Sequence, residues 1–420
     1  MGLIVQKYGG TSVADSEKIK NVADAIIKEK NNGNNVVVVV SAMGHTTDNL
    51  IKLSKEITQK PTDREMDMLL STGEQISMSL VAMALIEKGC NAISLTGLQA
   101  GVKTENCHLS ARIVNIDTKR ISKELNEGKV VIVAGFQGVC ENNEITTLGR
   151  GGSDTSAVAL ACALNADRCD IYSDVEGVYT SDPRIIKTAQ KLDTVSYDEM
   201  LELARVGANV LHPRSVETAK LYNMPMRVRS SFKTDDLGTL IIGVEEMELI
   251  KPVTGLACDD SQIRIVICDI EDKPGNAAKL FTLLASKDLS VDMIIQSYAR
   301  NKQNTNDIAF TITKSDYPKF EAIKGKINEI VNASNILIDE DIVKVSIVGA
   351  GMIDRPGIAA KMFDTLAKEH INIKMISTSE IKISCLVEKK FKEQAAIALC
   401  KVFELDGAQT VDVKGDLPSL

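Results

Sequence analysis

A lysine and two glycines stand together at the predicted end of the first strand, in the sequence KYGGTS at 7–12. Gly9 and Gly10 let a ligand approach the backbone closely, and successive N–H groups can cradle an anion. Lys7 adds a point charge beside them. From the spacing alone, phosphate binding and an ordinary turn after an exposed lysine remain equally open.

A second glycine cluster, GRGGSD at 149–154, ends where a buried helix is predicted to begin. Glycines, Arg150 and a helix N-terminus together favour an anion. Asp154 has a different chemistry, because a carboxylate does not bind phosphate. It could hold a metal ion, orient Lys7 through an ion pair, or cap the helix, and the cap alone is the competing interpretation.

Two further polar clusters are weaker patterns. The sequence SDVEGVYTSDPR at 173–184 follows a predicted strand and could bind a ligand or form an acidic surface loop. The sequence STGEQ at 71–75 interrupts an apolar helical stretch, where a glycine costs about 1 kcal/mol relative to alanine. This cost indicates that something packs against Gly73 or Glu74, although an exposed glutamate is the commoner case.

Several common motifs are missing or misleading. The sequence Gly349-Ala350-Gly351 follows a strand, but position 354 is Asp where a dinucleotide fingerprint needs a third glycine. The chain has no GxxxxGK[ST] P-loop and no GxSxG motif to support a Ser/His/Asp triad. The histidines have no metal-binding spacing; the four positions are His45, His108, His212 and His370.

In the first half of the chain, short apolar runs alternate with helical periods. Strands are predicted at Leu3–Tyr8, Val36–Ser41, Ala92–Leu95, Val130–Ala134, Ile171–Ser173, Met226–Val228 and Leu240–Ile242. Helices are predicted from Asp15 to Gly33, from a Thr62/Glu65 capping box, and over about 153–164. Uninterrupted β-branched runs suit strands buried on both faces of a parallel sheet. The pattern therefore predicts a doubly wound α/β sandwich.

The second half of the chain repeats itself. The sequence DKPGNAAKLF at 272–281 aligns with DRPGIAAKMF at 354–363, 82 residues later, and the same offset relates Met293 to Met375 and Ser297 to Ser379. Each copy has a strand, a D-x-P-G turn, an amphipathic helix and a second strand. The sequence therefore predicts three domains. The first is the large α/β domain at 1–245, and the other two are tandem α+β modules at 262–340 and 341–420.

Composition excludes several classes of protein. The 420 residues are 44% hydrophobic and 25% charged, as in globular chains of two or three domains. A net charge of −8, few aromatic residues and no tryptophan disfavour binding to nucleic acid or to an anionic membrane. Nine scattered cysteines without a CxxC pair indicate free thiols in a reducing compartment. No signal peptide or membrane span is recognised, so a cytoplasmic location is expected.

Taken together and in this order, the motifs resemble the aspartate kinase branch of the amino-acid kinase family. The blocks are KYGGTS at 7–12, VVVVVSAMG at 36–44, STGE at 71–74, GRGGSDTSA at 149–157, SDVEGVYTSDPR at 173–184, LHPRS at 211–215 and RVRSSF at 227–232. The tandem repeat resembles two regulatory ACT modules and includes STSEIKIS at 377–384. The resemblance implies a three-layer sandwich with a mainly parallel sheet, followed by two ferredoxin-like ACT modules.

The resemblance also implies a reaction in which the γ-phosphoryl group of MgATP passes to the β-carboxylate of L-aspartate. The product, 4-phospho-L-aspartate, begins lysine, threonine and methionine synthesis. A carboxylate with a pKa near 4 is already ionised at neutral pH, so the nucleophile needs no general base. Catalysis should then consist of charge neutralisation and in-line positioning.

By similarity, the site residues divide into groups with separate roles. Lys7 and Asp154 are the expected catalytic pair. Aspartate is expected to contact Ser41, Thr47, Glu74, Arg150 and Ser153. ATP is expected to contact Lys7, Gly9, Gly10, Ser173, Asp174, Tyr179 and Arg184. Magnesium is expected on phosphate and water oxygens, so no protein ligand is named, and the role of Lys233 is left open.

The ACT pair implies feedback inhibition, with lysine as the leading effector and threonine as a second candidate. Effector contacts are expected at Asp272, Gly275, Ala277, Gln296, Ser297 and Asp307. A strand near Gln409–Lys414 is expected to complete the first module, and pairing of modules across chains implies a homodimer or larger assembly. Two other hypotheses stay open: a catalytically silent amino-acid sensor, and a kinase of the same fold that acts on another acid.

Overall fold

The computed structural model describes residues 2–207, 210–247, 251–298, 304–352 and 355–407. The chain divides into two compact units, one comprising Met1–Tyr179 with Lys191–Ile250 and the other Thr180–Gln190 with Lys251–Leu420. Each unit has its own hydrophobic cores.

The first unit is built on an eight-stranded sheet in the order β10-β12-β11-β9-β1-β2-β6-β3. Its strands are β1 (Leu3–Tyr8), β2 (Asn35–Val40), β3 (Ala92–Leu95), β6 (Val130–Ala134), β9 (Arg168–Ser173), β10 (Thr194–Ser196), β11 (Met226–Ser230) and β12 (Thr239–Ile242). Every neighbouring pair is parallel except β11 and β12. A smaller sheet contains β4 (Val102–Thr104), β5 (Ile113–Ile116), β7 (Gln137–Val139) and β8 (Ile145–Thr147).

Helices cover both faces of the large sheet. They are α1 (Ser16–Asn31), α2 (Thr46–Ile57), α3 (Asp63–Glu87), α4 (Lys119–Asn126), α5 (Gly152–Ala163), α6 (Tyr197–Arg205) and α7 (Pro213–Leu221). On one face α1 and α3 pack against Val36, Val38 and Val40, while α5 contacts β1, β2 and β9. Alternation along β2 thus sends successive valines to opposite layers, which makes the predicted three-layer α/β sandwich.

All seven strands predicted from the sequence belong to this sheet, and the three predicted helices are α1, α3 and α5. Asp15 caps α1 as predicted, since its side chain accepts from the Lys18 N–H. The predicted capping box of α3 is wrong. Thr62 makes no side-chain cap, and the Glu65 carboxylate instead accepts from the Arg64 guanidinium at 2.8 Å.

Among the described residues, α3 is a helix long and apolar enough to cross a membrane by length and composition alone. No membrane span was expected from the sequence. Half of its most apolar window is buried inside the protein, and its buried face includes the polar residues Asp67, Ser71, Glu74 and Ser77. These features are typical of a core helix of a globular unit.

The second unit contains two four-stranded sheets, in the orders β15-β16-β14-β17 and β13-β18-β20-β19. The strands are β13 (Gly255–Asp259), β14 (Gln262–Glu271), β15 (Ile294–Tyr298), β16 (Thr305–Thr313), β17 (Asn335–Asp339), β18 (Ile342–Val348), β19 (Met375–Thr378) and β20 (Lys382–Glu388). The helices are α8 (Asn276–Ala285), α9 (Tyr317–Glu321), α10 (Lys324–Val331), α11 (Ile358–Lys368) and α12 (Lys392–Val402).

The sequence repeat is also a structural repeat. Gly275 and Gly357 occupy the same position before α8 and α11, with φ of 97° and 99°, a left-handed conformation that favours glycine. A strand that precedes the first module joins the sheet of the second, because β13 pairs with β18. The strand predicted near Gln409–Lys414 lies outside the described residues.

A buried lysine connects the two modules. Lys344 on β18 is almost fully buried, and its ammonium pairs with Asp292 of the first module and lies 3.7 Å from Asp259 on β13. A buried cation is tolerated when carboxylates surround it, and removal of one partner leaves the others unpaired.

We expect Lys344→Met to lower the opening free energy of the second unit by roughly 2–3 kcal/mol, because Asp292 and Asp259 lose their counter-charge. The matched control is Lys374→Met, whose partially exposed pair with Asp339 should contribute less than about 1 kcal/mol. Hydrogen–deuterium exchange at the β18 amides measures both values. Equal protection in the two variants would contradict the assignment.

Candidate active site

The charged centre of the first unit is an ion pair between Lys7 and Asp154. Lys7 lies near the carboxyl end of β1, between Val39 of β2 and Ile171 of β9. Asp154 is in the first turn of α5, and its Oδ1 lies 2.6 Å from Lys7 Nζ. Both side chains are nearly buried, so the contact is little screened by solvent. Of the interpretations open for Asp154, the geometry favours orientation of Lys7.

The turn after β1 is packed tightly against the chain that follows β2. The Gly9 N–H donates to the Tyr172 carbonyl at 3.1 Å, and the Gly44 N–H donates to the Gly10 carbonyl at 3.0 Å. A Cβ on Gly10 would lie 2.8 Å from the Ala42 carbonyl oxygen. Glycine is therefore required at position 10 by contact between two backbone segments.

The glycine loop before α5 rests on the start of α7. Gly151 has φ of 67°, and a Cβ there would lie 2.2 Å from His212 Cγ. The Arg214 guanidinium donates to the carbonyls of Leu148 and Ala111, at 2.9 and 3.1 Å. The LHPRS motif, which sequence reasoning recognised without a role, thus fixes the loop that presents Arg150. Arg150 itself is exposed, and within the described ranges it has no salt-bridge partner.

Glu74 is a buried carboxylate in which only one oxygen has a hydrogen-bond partner among the described residues. It lies on α3, and its Oε1 accepts from the Ala42 N–H at 3.0 Å. Its Oε2 is buried and has no hydrogen-bond partner in the described part of the chain. Burial raises the pKa of the carboxyl to about 7, against the opposing effect of the Ala42 hydrogen bond. The expected packing at Gly73 is present, since a Cβ there would lie 2.8 Å from the Ala42 Cβ.

A cavity of about 590 Å³ brings these groups together. The predicted site residues that line it are Lys7, Gly10, Ser41, Thr47, Glu74, Arg150, Ser153 and Asp154. Sequence reasoning missed other lining residues, namely Ala42, Gly44, Asp48, Ile51, Leu70, Leu109, Phe136 and Thr147. The cavity combines a lysine, an arginine, a buried glutamate and glycine-rich backbone, so it can hold a small molecule that has both charges.

The other predicted nucleotide contacts lie outside the lining of this cavity. Ser173 ends β9, and its carbonyl accepts from the N–H and the hydroxyl of Ser231, at 2.9 and 3.0 Å. Asp174 is exposed. Tyr179 is half-buried, and partial burial with the nearby Glu176 charge raises the pKa of its hydroxyl.

Lys233 contacts the loop after β9, because its ammonium pairs with Glu176 of that loop at 2.5 Å. Sequence reasoning missed Arg229, whose side chain holds the segment that follows β11. Its guanidinium lies 5.1 Å from the Tyr172 ring centroid and donates to the carbonyls of Thr234 and Asp236. The charge of Arg229 is balanced by the fully buried Asp170. The sequence signal that could have identified Arg229 is a charged residue directly after a predicted strand, in the RVRSSF motif.

Arg184 is the predicted nucleotide contact that does not belong to the first unit. The segment Thr180–Gln190 belongs to the second unit, and Ile186 packs in one of its cores. The Arg184 side chain is exposed and pairs with Asp182 at 2.7 Å. Its assignment to the nucleotide stays a prediction.

In the second unit, the predicted effector residues converge on one end of the first module. Asp272 follows β14 and accepts from the Asn306 side chain at 2.8 Å. Gly275 and Ala277 form the start of α8, while Ser297 on β15 pairs in register with Asp307 on β16. The predicted contacts on β15 are exposed, at Gln296 and Ser297.

Comparison with known proteins agrees with this architecture. The chain matches the model of the amino acid kinase family over residues 2–230 and a model of the ACT domain over residues 345–403. The chain therefore belongs to the amino acid kinase family, with ACT modules in its second unit.

Curated relatives refine the assignment over nearly the full length. The aspartokinase of Bacillus sp. (strain MGA3) is 53% identical over 408 residues, covering 97% of this chain and 98% of the relative. Aspartokinase 2 of Bacillus subtilis (strain 168) is 52% identical over 405 residues, covering 96% and 98%. The chain is thus one of the aspartokinases, which are phosphotransferases.

Solved structures show the same fold. E. coli aspartokinase III in complex with aspartate and ADP has a TM-score of 0.80 and 26% identity, covering 95% of this chain and 99% of that one. The same enzyme with lysine and aspartate has a TM-score of 0.75 at 26% identity and the same coverage. Nucleotide use and ACT-based allosteric regulation follow from the family.

The raised pKa of Glu74 gives a pH-dependent contribution to stability. The folded-state pKa lies above the usual value of 4.5, so the folded protein binds the extra proton between the two values. Wild-type stability should therefore fall as pH rises from about 4.5 to about 7. Glu74→Gln cannot ionise, so its stability relative to wild type should grow with pH, to roughly 3 kcal/mol above pH 7. Calorimetric melting temperatures at pH 5.5 and 8 measure this difference, and a gap independent of pH would contradict it.

Proposed function

We propose that this aspartokinase transfers the γ-phosphoryl group of MgATP to the β-carboxylate of L-aspartate in the cytoplasm, giving 4-phospho-L-aspartate as the entry step to lysine, threonine and methionine synthesis. The observation that supports it most directly is the single cavity lined by Lys7, Glu74, Arg150 and Asp154. Arg150 suits the α-carboxylate of an amino acid, Glu74 suits its ammonium, and Lys7, oriented by Asp154, suits phosphate.

Aspartate is held by charge at both ends of its α-amino acid group. Arg150 forms a planar fork that suits a carboxylate, and it is exposed to the cavity without a salt-bridge partner among the described residues. The unpartnered Oε2 of Glu74 accepts the ammonium. Hydroxyl groups of Ser41, Thr47 and Ser153 are close enough to the same cavity to complete the polar lining.

Lys7 acts on the phosphoryl group during transfer. Both reactants are anions, so the main barrier is their mutual repulsion, and a fixed cation at the transferring group lowers it. Asp154 keeps the ammonium in position through the 2.6 Å contact. The β-carboxylate needs no base because it is ionised at neutral pH. The backbone N–H of Gly10 is assigned to phosphate oxygens, and Gly9, whose N–H already donates to the Tyr172 carbonyl, is assigned to the close approach of phosphate to the turn.

The rest of the nucleotide is assigned to the loop after β9, through Ser173, Asp174 and Tyr179, with Arg184 as a further candidate. Among the described residues no group of three or more histidine, cysteine or carboxylate side chains could hold a metal ion. We assign Mg²⁺ to phosphate and water oxygens, as the family resemblance implies, where it would offset the negative charge of ATP. Lys233 contacts the same loop through its ion pair with Glu176.

Replacement of Lys7 by methionine should lower kcat by a factor of about 10³ or more, because the transition state loses its fixed cation. The KM for aspartate should change by less than about threefold, since other side chains hold the substrate. Steady-state kinetics with a coupled ADP-release assay measures both constants.

The matched control for Lys7→Met is Lys20→Met, an exposed lysine on α1 that does not line the cavity. Its kcat should equal that of the wild-type enzyme. A Lys7→Met variant with wild-type kcat and an intact circular dichroism spectrum would exclude the proposed role. Turnover of another acid in preference to aspartate would instead exclude the substrate.

We also propose L-lysine as the feedback effector, with threonine as a second candidate, bound at the first module of a homodimer or larger assembly. E. coli aspartokinase III has been solved with lysine and aspartate, which supports the chemistry. Ile294 and Tyr298 are exposed on β15, an edge strand of its sheet in the described structure. An uncovered edge of this kind is suited to pairing with a second chain.

The repeat provides a matched test of the effector site. Ser297→Ala should raise the concentration of lysine needed for half-inhibition by about tenfold or more, while kcat without lysine stays unchanged. Ser379→Ala changes the equivalent serine of the second copy and should leave inhibition as in the wild type. A panel of lysine, threonine and methionine, singly and in pairs, identifies the effector. Loss of inhibition only in Ser379→Ala would move the site to the second module.

A further inference from the structure

The first third of α3 contains a second buried carboxylate, Asp67, for which the proposed reaction has no role. Asp67 precedes Glu74 by seven residues, and at 100° per residue the two side chains fall on nearly the same face of the helix, two turns apart. Glu74 lines the cavity, whereas Asp67 is fully buried. A buried charge costs stability unless it is paired and hydrogen-bonded, so its partners are informative.

The Asp67 carboxylate accepts from three groups that are distant in sequence. His108 Nδ1 lies 2.6 Å from Oδ2, the Leu109 N–H donates to Oδ1 at 3.1 Å, and the Thr147 hydroxyl donates to Oδ1 at 2.5 Å. Two of these partners, Leu109 and Thr147, line the cavity. One carboxylate therefore joins α3, the 108–109 segment and the end of β8.

The backbone at Leu109 is strained, and Asp67 holds it. Leu109 has φ of 65°, a conformation that a bulky residue rarely adopts. Such strain persists where surrounding contacts determine it, and it is concentrated at functional sites. The Leu109 carbonyl oxygen lies 3.0 Å from the position of a Cβ on Gly149, so the strained residue packs directly against the glycine loop. The Ala111 N–H donates to the Thr147 carbonyl at 2.9 Å and closes this arrangement.

The same contacts determine where Arg150 stands. Its neighbours Gly149 and Gly151 both have positive φ, at 74° and 67°, and both are packed against other segments. Since Arg150 has no salt-bridge partner in the part of the chain that the structure describes, its position depends on this backbone.

We propose that Asp67 is a positioning residue for the substrate end of the cavity, which acts through Leu109 and Thr147 to hold the loop of Arg150. This inference rests on the proposed role of Arg150 in binding a substrate carboxylate. It adds a determinant of aspartate affinity that itself does not touch the substrate. The effect should be confined to aspartate, because the loop after β9 has no contact with this network among the described hydrogen bonds.

The test is Asp67→Asn, which keeps the shape and replaces one acceptor oxygen by a donor. At least one of the three donors then loses its acceptor. The KM for aspartate should rise about tenfold or more, while the KM for ATP stays within about twofold of the wild-type value. Thr147→Val should shift the KM for aspartate in the same direction, and Thr147→Ser, which keeps the hydroxyl, should restore it.

A purely structural role is distinguished by Glu124→Gln. Glu124 is a buried carboxylate on α4 that pairs with Arg120 and Lys129 and does not line the cavity. The Glu124→Gln variant should have a lower melting temperature and an unchanged KM for aspartate. If Asp67→Asn behaves in this way too, the inference is wrong. If the wild-type enzyme itself fails to phosphorylate aspartate, the proposed function is wrong instead.

Discussion

The ion pair between Lys7 and Asp154 is the interaction on which the site depends. It joins the carboxyl end of β1, near the middle of the parallel sheet, to the first turn of the buried helix α5. An unpaired ammonium at this depth would be costly, and the carboxylate removes that cost while it fixes the direction of the lysine. The glycine turn after β1 and the glycine loop before α5 flank this ion pair, so the same contact fixes the position of both.

Close approach of backbone segments gives the site its second constraint. At Gly10, Gly73 and Gly151 an added Cβ would lie within 3 Å of an atom in another segment, so the turn after β1, helix α3 and the loop before α5 each contact a neighbouring segment closely. Because these glycines add no side chain of their own at the contacts, the segments approach closely and the charged groups between them have few alternative positions. Pre-organisation of this kind is what a reaction between two anions needs, since the cation must be in place before charge develops.

The sequence was informative where one physical cause dominated. Runs of β-branched residues predicted the strands of the large sheet, and Asp15 predicted the start of α1, because each signal is local. Helix α2 was missed since it has no buried residue and hence a weak apolar pattern. The roles of Asp67 and Arg229 could not be predicted, because Asp67 meets Thr147 across 80 positions and Arg229 meets Asp170 across 59. Contacts of that range exist only in the folded chain.

Charge distribution, rather than total charge, explains how an acidic chain of net charge −8 can bind anions. Buried cations of the first unit are matched by carboxylates, as Lys7 is by Asp154 and Arg229 by Asp170. In the cavity this matching is incomplete at two points among the described residues: Arg150 lacks a salt-bridge partner and Glu74 has an unpartnered oxygen. An α-amino acid has both a carboxylate and an ammonium and so satisfies both groups, which supports the proposed substrate.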